Sequence, residues 1–309
     1  MPAQNISVPY RGRFAPSPTG PLHFGSLLTA VGSYLEARAR GGEWLLRIED
    51  VDTQRCLPGA ADHILRTLAG FGFEWDGEVL MQSQRTALYH AALAHLQNQK
   101  LVYPCTCSRS CLAAITTQRS IDGCLRYPGT CRHGLDPGVL RPPAWRLRVP
   151  DQVFAFTDRI QGHYRQNLDA ELGDFILLRA DGQYAYQLAV VVDDAAQGVS
   201  DVVRGADLLA STPRQIWLQQ CLGLPTPSHA HLPILVNAAG EKLSKQTRAE
   251  AVDPAQGSLL LGRILTLLGH PPPREITGAP LREFWNWARS AWSMSRVPQV
   301  PFLPPAAGL

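Results

Sequence analysis

Residues 14–26 read FAPSPTGPLHFGS and residues 27–42 read LLTAVGSYLEARARGG. The first stretch is dense in proline, glycine and serine, the composition of a loop. The second repeats Leu27, Leu28, Val31 and Leu35 at helical spacing, so the loop feeds a helix. Gly41 and Gly42 end that helix, and EWLLRIE at 43–49 has the length and composition of a short buried strand. Further out, Pro58 opens a second helix carrying Ile64, Leu65 and Leu68. RTALYHAALAHLQNQ at 85–99 forms a third, with Leu88, Ala92, Leu93 and Leu96. Alternating strand and helix predicts a Rossmann-like, doubly wound α/β fold with a parallel sheet.

The chain has 309 residues, 45% of them hydrophobic, enough for one large α/β domain with an attachment. Its net charge of +3 gives no global electrostatic argument for or against nucleic acid. The start MPAQNISVPYRGRF has no apolar core of signal-peptide length, and runs such as QLAVVV at 187–192 are far too short to span a bilayer. A cytoplasmic protein without membrane contact, acting as a monomer, is the expectation. Four segments follow from the pattern: 1–104, the first half of the Rossmann-like domain; 105–172, an inserted subdomain rich in Cys, Pro and Gly; 173–250, its second half, where FILLR (175–179) and YAYQLAVVVDDA (184–195) resume the α/β style; and 251–309, a short C-terminal helical region. In the last, SLLLGRILTLLGH and LREFWNWARSAW are helical, and the proline-rich end VPQVPFLPPAAGL is expected to be loose.

Two short motifs carry chemistry. In PLHFGS, at 21–26, His23, Gly25 and Ser26 stand where the loop becomes a helix, with unpaired backbone N–H groups and a partial positive charge that attract phosphate. Gly25 allows close approach of a nucleotide, and His23 can donate to a phosphate oxygen. In GEKLSKQT, at 240–247, Lys242 and Lys245 are two of only three lysines in the chain, the other being Lys100. A mobile ammonium can follow charge as it shifts during phosphoryl chemistry, which a planar guanidinium does less readily. Either motif alone is weak, since a lone histidine near a helix start and a lysine pair on a hairpin tip are commonly structural or solvated.

Together they resemble the two signature loops of the class I aminoacyl-tRNA synthetases. The resemblance narrows to the glutamate branch at RFAPSPTGPLHFGS (13–26), RIEDVDTQR (47–55), YAYQLAVVVDD (184–194) and VVRGADLL (202–209), and covers about Arg13 to Arg248. It implies ATP and Mg²⁺ as co-substrates, with His23, Lys242 and Lys245 catalytic and His23, Gly25, Ser26 and Lys245 on ATP. It places Arg13, Phe14, Ala15, Pro16, Ser17, Glu49, Tyr186 and Arg204 around glutamate. The chemistry agrees, because a substrate with two carboxylates and one ammonium calls for cationic clamps and one anion.

Five of the seven cysteines, Cys105, Cys107, Cys111, Cys124 and Cys131, crowd residues 105–131. Cys105, Cys107 and Cys131 can form a tetrahedral zinc site, and by composition alone either Cys111 or Cys124 supplies the fourth ligand. A shortened branch of the glutamyl-tRNA synthetases resembles this segment through a C-x-C then Y-x3-C arrangement. That resemblance implies one structural zinc held by Cys105, Cys107, Tyr127 and Cys131, with His133 close by in sequence. About sixty residues follow the Lys-Ser-Lys loop, where a full glutamyl-tRNA synthetase carries a long anticodon-binding region. The shortened branch activates glutamate without tRNA and places it on queuosine in the anticodon stem-loop of tRNA(Asp), which the resemblance implies here. Three alternatives remain: a shortened enzyme charging a tRNA 3′ end, another nucleotidyltransferase lacking the glutamate clamp, and a noncatalytic RNA-binding relative.

Overall fold

A computed structural model describes residues 9–120, 123–236 and 250–304. Lys242 and Lys245 therefore lie outside the described residues. The chain opens with strand β1 (Arg11–Phe14), helix α1 (Phe24–Ala39) and β2 (Glu43–Ile48). Then come α2 (Ala60–Gly70), β3 (Leu80–Met81), α3 (Thr86–Asn98) and β4 (Val102–Cys105). Next are α4 (Arg109–Ile115), β5 (Ala144–Leu147), β6 (Val153–Asp158), β7 (Gly162–Asn167), α5 (Leu168–Glu171) and β8 (Phe175–Leu178). The second α/β half contains α6 (Tyr186–Ala196), β9 (Asp201–Gly205), α7 (Thr212–Leu222), β10 (Ser228–Leu232) and β11 (Ile234–Leu235). Helices α8 (Gly257–Leu267) and α9 (Leu281–Ala291) and strand β12 (Phe302–Leu303) follow.

Strands β1, β2 and β3 pair in parallel, and β9 pairs in parallel with β10. The two groups meet where β1 lies beside β9: the Ser200 N–H donates to the Arg11 carbonyl at 3.0 Å, and the Arg11 N–H to Ser200 Oγ at 2.9 Å. The spatial order is thus β3-β2-β1-β9-β10, with the winding reversing at the β1/β9 seam. In such sheets the crevice beyond the strands' C-terminal ends at the reversal is the place for a ligand. Helix α1 is buried along most of its length and packs on β1, β2 and β9. Gly32 permits this closeness, because a Cβ there would sit 2.5 Å from a Leu232 methyl. The turn after α1 needs its glycines as well: Gly41 has φ +62°, and a Cβ on Gly42 would lie 2.3 Å from the Tyr10 carbonyl.

The cysteine-rich segment sits on an antiparallel sheet, β4-β5-β8, and carries the β6–β7 hairpin. The boundary drawn between residues 104 and 105 falls inside β4. The C-terminal region is part of the main core. Trp285 on α9 packs edge-on against Tyr34 and tilted against Phe73, while Trp44 stacks on Phe73. The Trp285 indole N–H donates to the Phe71 carbonyl at 2.9 Å, so the aromatic ring and its polar handle are both used. The expectation of a loose tail is corrected at residues 300–303. Phe302 and Leu303 form a strand on β11, Leu303 is buried, and the Ile234 N–H donates to the Pro301 carbonyl at 3.0 Å. Apolar side chains flanked by prolines supply a short edge strand where the sheet offers a free partner. Among the described residues no helix is long and apolar enough to cross a membrane.

Candidate active site

At the seam a cavity of about 230 Å³ opens over the C-terminal ends of β1, β2, β9 and β10. Arg13 and Phe14 come from the end of β1 and Ala15, Pro16 and Ser17 from the loop after it. Glu49 follows β2, Tyr186 opens α6, Arg204 lies on β9, and His23, Gly25 and Ser26 start α1. Every described residue that sequence placed on glutamate or ATP lines this one space. The Glu49 N–H donates to the Pro16 carbonyl at 3.0 Å, tying the two loops together at the cavity's edge.

Behind Arg13 and Glu49 lies a buried charge array. Asp194 accepts from Arg13 Nε at 3.0 Å and Nη2 at 3.3 Å, and pairs with Arg47 Nη1 at 2.8 Å. Arg47 also reaches Glu49 at 3.4 Å and donates to Gln197 Oε1 at 2.8 Å. Burial would raise the Asp194 carboxyl, but Arg13 and Arg47 overcome it and hold it at about 2. For Glu49 burial wins over the pull of Arg47 and Arg13, and its pKa is raised. Glu49 lines the cavity as a buried carboxylate that a further cation would stabilise, a place suited to an ammonium group.

Arg204, which also lines the cavity, is held differently. Its Nε donates to His231 Nε2 at 3.0 Å, Nη1 to Gln215 Oε1 at 2.8 Å, and Nη2 to Thr212 Oγ1 at 2.8 Å and the Leu208 carbonyl at 3.3 Å. All these acceptors are neutral. Burial lowers the Arg204 pKa, with Tyr186 opposing that shift and Arg13 adding to it. An arginine so placed favours a bound anion more than one already paired. His231 is neutral, because burial outweighs its Asp158 hydrogen bond and takes its pKa down to about 4. Its Nδ1–H donates to Asp158 Oδ2 at 2.6 Å, which leaves Nε2 as the acceptor Arg204 requires.

At the other end His23 N-caps α1: Nδ1 accepts from the Ser26 N–H at 3.3 Å, and Nε2 faces Ser26 Oγ at 3.0 Å. A phosphate contact from His23 Nε2 therefore requires exchange of that Ser26 bond. The first turn of α1 has no acidic residue, so its positive dipole end faces the cavity unopposed from within the helix. Ile234 and Leu235 wall this end. Beyond residues 237–249 the chain returns to the same loop, where Ala251 bridges His23 and the Val252 N–H donates to the Leu22 carbonyl at 3.0 Å.

Away from the cavity, the sulfurs of Cys105, Cys107 and Cys131 lie within 4.8 Å of one another, with Cys107 and Cys131 3.6 Å apart. Four ligands arranged tetrahedrally at zinc–sulfur distances of about 2.3 Å would place sulfurs about 3.8 Å apart. The Tyr127 hydroxyl is 3.3 Å from Cys105 Sγ and accepts the Cys131 N–H at 2.8 Å, so its oxygen belongs to the same group. Cys111 and Cys124 are exposed, and neither they nor His133 is in this cluster. Arg146 donates to Cys105 Sγ at 3.2 Å and stacks on the Tyr127 ring at 3.8 Å, a cation beside a donor set that would be anionic. The donors can hold a metal ion.

Sequence reading did not single out Asp194, Arg47, Asp158, His231 or Gln215. For the histidine a signal existed: SHAHL at 228–232 places His229 and His231 on one face of an otherwise buried strand, where apolar residues are the rule.

Residues 9–258 match the family described as tRNA synthetases class I (E and Q), catalytic domain. The chain is 59% identical to a glutamyl-Q tRNA(Asp) synthetase of Dechloromonas aromatica over 95% of its own length and 97% of that protein's. It is 59% identical to one from Chromobacterium violaceum over 94% and 96% of the respective lengths. Among solved structures, a glutamate-tRNA synthetase from Elizabethkingia anophelis superposes with a TM-score of 0.78 at 26% identity, covering 97% of this chain and 68% of that one. Its parallel sheet, the ligand crevice at the sheet's reversal and these likenesses agree that the chain belongs to the class I (E and Q) tRNA synthetases, and within them to the glutamyl-Q tRNA(Asp) synthetases.

Proposed function

We propose that the protein activates glutamate with ATP, releasing pyrophosphate, and transfers the glutamyl group from the adenylate to queuosine in the anticodon of tRNA(Asp). The observation that carries this reading is 56–59% identity to glutamyl-Q tRNA(Asp) synthetases across nearly the full length of both partners. The cavity supports the first step chemically. Arg204 and Arg13 attract the two carboxylates, Glu49 takes the ammonium, and Tyr186 adds a hydroxyl. The bound α-carboxylate attacks the α-phosphorus of ATP while the bond to the bridging oxygen of pyrophosphate breaks. The N-terminus of α1, with Gly25 and Ser26, faces the phosphates, and His23 donates to them after leaving Ser26. Lys242 and Lys245 supply the mobile positive charge for the departing pyrophosphate, as such transition states require. In the second step a ring hydroxyl of queuosine attacks the anhydride carbonyl, AMP departs and an ester forms.

The cysteine group is read as a structural zinc site of Cys105, Cys107, Tyr127 and Cys131; the spacing of the sulfurs and the inward Tyr127 oxygen support this set over one completed by Cys111 or Cys124. Such a site would stabilise the insertion by closing its loop onto β4. Activation is tested by pyrophosphate exchange with ATP, Mg²⁺ and glutamate in the absence of tRNA. Exchange that depends on glutamate is the expected result, and its absence from folded, zinc-replete protein would remove the reading.

A further inference from the structure

Arg204 and His231 are register partners on the parallel strands β9 and β10. The third member of their chain comes from elsewhere: Asp158 ends β6, in the hairpin between β5 and β8, 73 residues before His231. Both Asp158 and His231 are buried. The two oxygens of Asp158 have separate tasks. Oδ1 accepts three backbone N–H groups, from Ile160 at 3.0 Å, Gln161 at 2.9 Å and His231 at 3.0 Å. Oδ2 accepts the His231 ring at 2.6 Å. A carboxylate at Nδ1 fixes the imidazole with its proton on Nδ1 and a bare Nε2, and Nε2 then accepts the Arg204 Nε–H at 3.0 Å.

We propose that Asp158 and His231 are positioning residues for substrate recognition, holding Arg204 through an imidazole of fixed tautomer so that its guanidinium is presented to a substrate carboxylate. This rests on the glutamate-activation reading above. The need is specific. Arg13 is oriented by a carboxylate that already occupies two of its nitrogens, whereas among the described residues Arg204 is oriented by neutral acceptors and keeps its charge for the ligand. A wrong tautomer would place an N–H against an N–H in a buried site, and an unsatisfied buried donor is costly.

The variant Asp158→Asn separates this role from simple packing. The three backbone donors hold the remaining oxygen at Oδ1, so the amide NH₂ falls at the Oδ2 position and donates to His231 Nδ1. The ring proton must then move to Nε2, facing Arg204. The expected result is a KM for glutamate raised roughly 10- to 100-fold in pyrophosphate exchange. The KM for ATP should stay close to the wild-type value. An unchanged KM for glutamate, or equal rises for glutamate and ATP, would overturn the proposal. Wild-type exchange in the same assay keeps this separate from the parent reading: if the wild type shows none, the functional assignment has failed instead. Nitrogen-15 NMR of the wild-type histidines gives a second readout that needs no variant to fold, apart from a His231→Gln sample used for assignment. A proton on Nδ1 of His231 with Nε2 bare is expected, and a proton on Nε2 would overturn the proposal.

Discussion

Replacing Asp194 with asparagine removes the carboxylate that, among the described residues, bonds to both Arg13 and Arg47. Both guanidiniums are buried, with side-chain exposures of 4% and 0%, so water cannot take the place of the lost charge. Two routes give the size of the effect. Breaking a buried ion pair costs about 3–5 kcal/mol, with the lower figure appropriate because asparagine keeps one acceptor oxygen. Independently, the carboxyl falls from its ordinary value of 3.8 to about 2 in the fold, worth roughly 2–3 kcal/mol. The folded pKa lies below the unfolded one, so this contribution is complete above the ordinary value and lost as pH falls toward the folded value. At neutral pH the Asp194→Asn protein should melt about 6–12 °C below the wild type, taking a loss of about 3 kcal/mol. Linkage gives a gap that narrows to about half by pH 3. Thermal melts monitored by circular dichroism across that range check both points. A variant melting within about 1 °C of the wild type at pH 7, or a gap independent of pH, would refute the view that Asp194 is the counter-charge of this array.

Elemental analysis should find one zinc per chain; Cys105→Ser should lose it and loosen the insertion, whereas Cys111→Ser and Cys124→Ser should keep it. Glu49→Gln should raise the KM for glutamate roughly 10- to 100-fold with little change for ATP, since a buried ammonium would lose its anion. Lys245→Ala should lower the rate of activation roughly 10²- to 10³-fold, the scale for losing one transition-state partner, as read by pyrophosphate exchange at saturating substrates.

What could be read ahead of the structure divides by range. The loop at 14–26, the helix after it and the strand at 43–48 are dictated by local composition and period, and the loop residues and Glu49 fell in one cavity with Tyr186 and Arg204. Motif resemblance named those contacts without saying how each is held. The partners that hold them were not legible, because Arg13 meets Asp194 across 181 residues and Asp158 meets His231 across 73. No local pattern reports such a meeting. Asp194 stood in view in VVVDD as one of two adjacent acids, but its neighbour Asp193 turns to Gln82, Arg85 and Tyr89 instead. Adjacent helix positions face different ways, and only the packing of α6 decides which acid reaches Arg13 and Arg47. The proline-rich tail misled for a related reason: composition describes an isolated strand, while residues 302–303 are ordered by the partner they find in β11.

The most direct measurement concerns the acceptor. The enzyme is incubated with ATP, labelled glutamate and tRNA(Asp) prepared from cells that make queuosine and from cells that cannot, and the product is cut with nuclease and its fragments mapped. Label confined to the anticodon fragment of the queuosine-containing tRNA is the predicted result; label on the 3′-terminal adenosine, or equal labelling of both preparations, would contradict it.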